Sequence, residues 1–465
     1  MKRALHGLIA IVLVGCGDDG DALTDAAGPD NGIADAGLDA SPLRDAGARD
    51  ASRDAQPWID GGTPPEPVWT LPSCAAAHGI VARDVGRGTA VVDVGQLRAF
   101  DAAAGRATVV AGRFDYVWKT VSERDTTTEA QPVTRYGNAP IAVLLRDDVP
   151  HLLASTYWED PVTPREDWET SLTTTTVPRT YVPIGGGGLT VAGYPASRIV
   201  TTGAGIDIFS APLTNGAIDC GVCALRIDGD GTTISPLREV APGHPSESII
   251  LLFDEVTRRG MVLEEMWVEG RSKLFVTAFT DTTTGAFREV VDPFYEASAD
   301  ISPVVAAIVG ERVVVVYQVP MGFDVPNLPR YVELSLATGE VLSPPAWYRL
   351  GEYADPLLVL TQGTATSVDM FRQPYGPYDD SMPEQYTNRP IEVHLNRPLP
   401  LDHAPAADVL RLGAGGWVDD LRAERVGADV WVAWHERGPC QAAPGEFPPL
   451  ECVGGAYWAL LRCDE

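Results

Sequence analysis

The residues able to act as nucleophiles, metal ligands or proton carriers are the first to place, and the seven cysteines are the most informative of them: Cys16, Cys74, Cys220, Cys223, Cys440, Cys452 and Cys463. Cys220-Gly-Val-Cys223 has the spacing of a redox or metal pair. A redox dithiol draws its low thiol pKa from a helix N-terminus, whereas the flanks Ala217-Ile218-Asp219 and Ala224-Leu225-Arg226-Ile227 read as strand. Covalent haem attachment needs His directly after the second Cys, and that position is Ala224. Zinc needs a second ligand pair at matching spacing, and none is evident. The expectation is therefore a structural disulfide at a turn. The histidines His6, His78, His151, His244, His394, His403 and His435 never pair at i, i+2 or i+4, so no metal site is assigned. Asp228-Gly-Asp-Gly-Thr232 begins like a calcium loop but lacks its later acidic ligand, which leaves a turn.

Catalytic signatures are absent from the sequence. There is no Gly-x-Ser-x-Gly, no His-Glu-x-x-His and no phosphate-binding glycine loop closed by Lys; the run Gly185 to Gly188 lacks the following Lys-Thr. No catalytic residue and no cofactor are assigned. What remains is recognition by two long polar-aromatic insertions: Tyr157 to Pro183, with Trp158 and Trp168, and Gln373 to Pro390, with Tyr375, Tyr378 and Tyr386. Loops on a rigid scaffold carry function out of proportion to their length, and Tyr and Trp are favoured contact residues.

Charge narrows the partners. Thirty-five Lys and Arg oppose 64 Asp and Glu in 465 residues, a net charge of −29, and the lysines are Lys2, Lys119 and Lys273 alone. A nucleic-acid binder needs clustered cations against phosphate, so nucleic acid is excluded. Residues 17–67 carry eleven Asp and one Glu against Arg44, Arg49 and Arg53, with isolated Leu and Ile that cannot form an apolar face. Such a composition predicts a disordered, self-repelling tether. Residues 68–465 keep a net charge of −22, which serves solubility and disfavours anionic partners.

This head must supply the scaffold, and its pattern is all-β. Short runs rich in Val, Ile, Thr and aromatics recur between Gly, Pro, Asn and Asp: 89–94, 140–145, 151–157, 197–202, 249–253, 273–279, 312–319, 331–336, 356–361 and 429–434. Helical periodicity is scarce, and 46 Gly and 38 Pro interrupt it. Mostly antiparallel sheet follows, because parallel strands need crossover helices. Turn markers repeat as well: Asp228-Gly-Asp-Gly231, Asp281-Thr-Thr-Thr-Gly285 and Leu336-Ala-Thr-Gly339 end at glycines 54 residues apart, and Asp101 to Gly105 is an earlier relative. This pattern resembles β-propeller blades, in which a D-x-x-x-G-type turn joins the outer strands. The resemblance implies about seven blades in 68–465, with tandem β-sandwiches as the alternative. A closed ring would bring Cys74 to Cys463, and proximity in sequence favours Cys220 with Cys223 and Cys440 with Cys452.

The N-terminus reads as an address. Lys2 and Arg3 precede an apolar run from Leu5 to Val14, too short for the roughly 20 residues of a permanent span. Leu13-Val14-Gly15-Cys16 resembles the lipobox of bacterial lipoproteins. That resemblance implies removal of residues 1–15, a lipid thioether with further acylation (palmitate-type chains) on Cys16, and insertion of those chains in the bilayer. Gly17 rather than Asp after Cys16 favours the outer membrane or cell surface over the inner membrane. The chain is thus expected to be an exported, anchored lipoprotein of the cell envelope, with residues 16–67 as tether. Its propeller-like head would act as a binding or scaffold module for a protein or glycan. The alternative is a hydrolase or lyase with carboxylates in the central channel.

Overall fold

Runs of β-branched and aromatic residues cut by turn formers can satisfy their backbone polar groups only by pairing with one another. In the computed structural model they do so as 28 strands among the described residues. The structure describes residues 71–83, 97–112, 116–124, 131–132, 138–146, 149–156, 169–174, 181–186, 197–202, 205–210, 220–228, 238–242, 248–269, 271–290, 304–319, 328–348, 357–374, 390–401, 409–413, 417–441 and 451–463.

Strand β1 (Ala75–Arg83) comes first and waits for a distant partner. Blade one follows as β2 (Leu97–Ala103), β3 (Arg106–Gly112), β4 (Tyr116–Ser122) and β5 (Gln131–Pro132). Blade two is β6 (Asn138–Arg146), β7 (Val149–Thr156), β8 (Glu169–Thr174) and β9 (Tyr181–Gly186). Blade three is β10 (Ser197–Thr202), β11 (Gly205–Ser210), β12 (Cys220–Asp228) and β13 (Arg238–Pro242). Blade four is β14 (Ser248–Asp254), β15 (Arg259–Val268), β16 (Arg271–Thr280) and β17 (Thr284–Glu289). Blade five is β18 (Val305–Val309), β19 (Arg312–Val319), β20 (Leu328–Ser335) and β21 (Val341–Trp347). Blade six is β22 (Leu357–Thr364), β23 (Ser367–Gln373), β24 (Ile391–Pro398) and β25 (Leu410–Leu412). Blade seven is β26 (Trp417–Val426), β27 (Asp429–Gln441) and β28 (Glu451–Leu461), and its fourth strand is β1.

Each sheet is antiparallel and four-stranded. The first strands touch in cyclic order, β2 to β6, β6 to β10, β10 to β14, β14 to β18, β18 to β22, β22 to β26 and β26 back to β2. The head is therefore a seven-bladed β-propeller, and the tandem-sandwich alternative is set aside. Ring closure is covalent as well as hydrogen-bonded. Cys74 and Cys463, 389 residues apart, form a disulfide with a Cα separation of 4.6 Å, and the Arg462 N–H donates to the Cys74 carbonyl at 2.9 Å.

The core lies in the seams between blades. Met261, Leu263, Leu274 and Val276 of blade four pack on Val313, Val315 and Val332 of blade five. Val262, from the opposite face of the same strand, packs on Phe209 and Ala224 of blade three. Because both faces of a blade are buried, β19 reads as an unbroken apolar stretch from Val313 to Tyr317 rather than as alternation, and β23 is buried at every position although it carries Asp369 and Arg372. At the closing seam Trp431 and Trp458 of blade seven meet Leu97, Val109 and Val121 of blade one.

Two expectations from sequence need correction. Gly339, with φ +70°, does turn the outer hairpin β20–β21, its N–H donating to Ser335 O at 2.8 Å. Gly105, with φ +75°, instead turns the first hairpin β2–β3. A left-handed glycine marks a tight turn without saying which pair of strands it joins. Cys220 and Cys223 both lie on β12 rather than in a turn. Of the other two markers, Gly285 is the second residue of β17, just past the turn from β16, and Gly231 lies outside the described residues.

Candidate functional site

The two ends of the ring are built differently. The first hairpin of each blade closes at 104–105, 147–148, 203–204, 255–258, 310–311, 365–366 and 427–428, mostly in two residues. At the opposite end the second and third strands are joined through 113–115, 157–168, 211–219, 269–270, 320–327, 374–390 and 442–450. The blade-to-blade connections, among them 84–96, 187–196 and 290–304, share that end. Long connections on one face of a rigid ring are where recognition concentrates.

Both aromatic insertions read from the sequence join strands at this end. Residues 157–168, with Trp158 and Trp168, leave β7 and enter β8, and residues 374–390, with Tyr375, Tyr378 and Tyr386, leave β23 and enter β24. These five aromatics lie outside the described residues, as does Cys16. The first insertion is shorter than expected, because Glu169–Thr174 forms β8 and Tyr181 opens β9. The β-branched threonines of this stretch favour a strand.

The described part of the face adds two tryptophans that sequence reasoning passed over. Trp267, at the end of β15, is 48% exposed, and Trp347, at the end of β21, is 38% exposed. Trp347 is braced from behind. The buried Arg330 guanidinium sits 4.4 Å from its ring centroid and donates through Nη2 to the Pro345 carbonyl at 2.8 Å. One ring face is thereby held in place. The available signal was a Trp beside a tight hairpin (Trp267) and one after Pro344-Pro345 (Trp347), neither distinctive alone.

A largely buried charged group stands where the 374–390 connection leaves β23 and enters β24. Arg372, at the end of β23, donates Nε to Glu392 Oε2 at 2.8 Å, and its Nη2 lies 2.6 Å from the same oxygen. His394 Nε2 is 3.9 Å from that oxygen, too far for a hydrogen bond, so Arg372 is the tighter partner. Together the His394 imidazole and the Arg372 guanidinium hold the Glu392 carboxyl down at about 2. Gln373 Oε1 accepts the Val418 N–H at 3.1 Å and ties the root of the connection to blade seven. Nearby in chain order, Asp420 on β26 stands opposite His435 on β27. Burial pushes the Asp420 carboxyl up, opposed by Arg422, the Leu421 N–H, His435 and Arg98.

Inner-strand acids are engaged in holding blades together. Asp101 accepts the Leu145 N–H at 2.6 Å across blades one and two, and Glu424 accepts the Ala102 N–H at 3.1 Å across blades seven and one. On the narrow-turn end, Arg258 pairs with Asp207 and Asp281. Arg425 donates to Asp369 there at 2.6 and 3.0 Å. Among the described residues no group of three or more His, Cys, Asp or Glu converges to hold a metal ion.

No family model matches the sequence, and no curated protein matches it either. Solved structures resemble the chain at low identity. A polysaccharide lyase, Uly1, is 9% identical with a TM-score of 0.48, over 82% of this chain and 92% of that one. The β-propeller domain of the Trilobed protease from Pyrococcus furiosus, with an open velcro topology, is 10% identical with a TM-score of 0.37, over 65% and 80%. A Niastella koreensis GH74 enzyme is 11% identical with a TM-score of 0.38, over 73% and 50%. The assignment of seven blades stands on this chain's own strand order and cyclic contacts.

Proposed function

We propose that the protein is an exported lipoprotein, held by acyl chains on Cys16 and a tether to residue 67, whose propeller binds a protein or glycan at the outer membrane or cell surface. The observation that carries the binding role is the exposed Trp267 and Trp347 at the end where the second-to-third-strand and blade-to-blade connections lie, while two-residue turns close six of the seven first hairpins at the other end. Trp offers a large, rigid contact surface at low entropic cost, and its indole N–H adds a polar handle. Export is supported by the Cys74–Cys463 disulfide, a bond that persists in oxidising compartments.

Two measurements test the reading. Native protein pulled down against envelope polysaccharide and against detergent-solubilised envelope proteins identifies the ligand class. The double variant Trp267→Ala/Trp347→Ala is expected to weaken the captured interaction at least tenfold, with a modest drop in Tm from the lost Arg330–Trp347 contact. Unchanged affinity removes this face from recognition. Cys16→Ser is expected to release the chain from the membrane fraction, and mass spectrometry of the mature N-terminus should show an acylated Cys16. An unmodified Cys16 in membrane-extracted protein rejects the anchor.

A further inference from the structure

The closing blade is the one assembled from both ends of the described chain, and its register sets two cysteines opposite each other. Strand β27 runs toward the loop-bearing end and β28 returns from it, with Cys440 the Cα partner of Cys452. The alignment depends on a one-residue shift between Arg437 and Cys440. Unshifted, the pairing of Arg437 with Gly454 would have carried Cys440 to Glu451. Opposed residues of an antiparallel pair have Cα atoms roughly 4.5 or 5.5 Å apart and present their side chains to one face. Both spacings fall in the span a disulfide requires, about 4.4 to 6.8 Å. Cys220 and Cys223 differ in kind. They are three residues apart along one strand, and its pairing with β13 shifts register twice between them.

We infer that Cys440 and Cys452 form a second disulfide, which closes the 442–450 connection at its root. Blade seven is then bonded at both ends, by Cys74–Cys463 at the narrow-turn end and by Cys440–Cys452 at the loop-bearing end. Formation is a two-electron oxidation. The two thiols lose two protons and two electrons as the S–S bond forms, and a thiol–disulfide oxidoreductase of the exporting compartment accepts the electrons as its own disulfide becomes a dithiol. The cross-link turns a connection of the recognition face into a covalent ring, which lowers the entropy it loses on binding. It rests on strand register and export, and is independent of which ligand the face takes.

Full-length protein, alkylated before lysis and digested with trypsin and Glu-C together without reductant, reports the pairing directly. The expected product joins peptide 438–446 to peptide 452–462, while 463–465 is joined to the Cys74 peptide as the internal control for oxidation. Where that control pair is reduced, protein prepared without alkylation is treated with glutathione disulfide until the pair forms, the glutathione disulfide being reduced to two thiols, and is alkylated only then. Alkylated Cys440 and Cys452 alongside an intact control pair, or either residue joined to Cys220 or Cys223, overturns the inference. Cys452→Ser should leave Cys440 fully alkylatable and speed Glu-C cleavage at Glu446 several-fold, with the control pair unchanged; equal cleavage rates reject a constrained connection. Ligand capture by Trp267 and Trp347 is scored separately, so failure of one reading is distinguishable from failure of the other.

Discussion

Replacing both Cys74 and Cys463 by Ser removes the covalent closure of the ring and leaves its hydrogen bonds. β1 pairs with β28 from Ala75↔Leu461 to Arg83↔Gly455, and Ala77 and Val81 stay buried in the seam with blade one. The native fold should therefore persist, and the effect should act mainly on the unfolded chain. For a loop of 389 residues, the chain-entropy relation gives a ceiling of about 6 kcal/mol, and removal of native disulfides typically costs about 2 to 5 kcal/mol. A second consequence is local. β1 is an outermost strand with a single pairing partner, so without the disulfide it should open before the rest of blade seven. Guanidinium unfolding of parent and variant, each with and without reductant, measures the first effect. Amide exchange along 75–83 measures the second. The variant should unfold at lower denaturant than the oxidised parent, and in the presence of reductant it should match the reduced parent. Coincident oxidised curves, or β1 amides exchanging no faster than those of β27, would refute the closure argument.

Three further outcomes follow from particular contacts. His394 and Arg372 hold Glu392 at about 2. A carboxyl depressed in this way adds stability that is fully present above its ordinary pKa and is lost as pH falls from about 4.5 to 2, on the order of 2 kcal/mol after allowance for partial solvation. Glu392→Gln should remove that share of the acid loss, so Tm of parent and variant should converge as pH drops toward 3; a constant gap contradicts it. Gly260 faces Phe279 in register, and an added Cβ would lie 2.2 Å from the Phe279 ring and 2.7 Å from the Leu252 carbonyl. Gly260→Ala should cost about 2 kcal/mol or more, partly recovered by a second change, Phe279→Leu, in a double-mutant cycle. Burial raises the Asp420 carboxyl, so its charge is a burden at neutral pH. Asp420→Asn should raise Tm at pH 7, and the gain should shrink as pH falls through the raised value; a gain that grows on acidification reverses the sign.

Much of the scaffold is legible in the sequence, and the reason is local chemistry. Ser197–Thr202 and Arg312–Val319 are strands with the bounds read from sequence because β-branched runs there stop at turn residues on both sides. The expected strand 89–94 lies outside the described residues. Blade number followed from the spacing of turn glycines, although Gly105 shows that such glycines do not fix a strand's place within its blade. The charged group of the site was not legible for a different reason. Arg372 and Glu392 are separated by the whole 374–390 connection, and only the pairing of β23 with β24 sets them opposite each other. Asp and Glu are too numerous for that partner to be picked from composition. Cys440 and Cys452 are close in sequence, but their opposition depends on a one-residue bulge that no propensity announces.

The proposed anchor gives the closing blade its logic. Any pull carried through residues 16–70 enters the head at Cys74, one residue before β1, and β1 is an outermost strand held by β28 alone. Hydrogen bonds alone would let such a strand separate from the blade one pair at a time. The Cys74–Cys463 bond passes the load to the end of β28, which is flanked on both sides by β1 and β27 and buries Trp458, Leu460 and Leu461. The Arg462 side chain sits beside that junction and bonds Asp429 of β27 at 2.8 Å and Glu123, just past β4 of blade one, at 3.0 Å. Load entering at the N-terminal edge is thereby spread over two blades. Under the proposed anchoring, closure is needed at this point, where Cys74 and Cys463 join β1 to β28 at the narrow-turn end of blade seven.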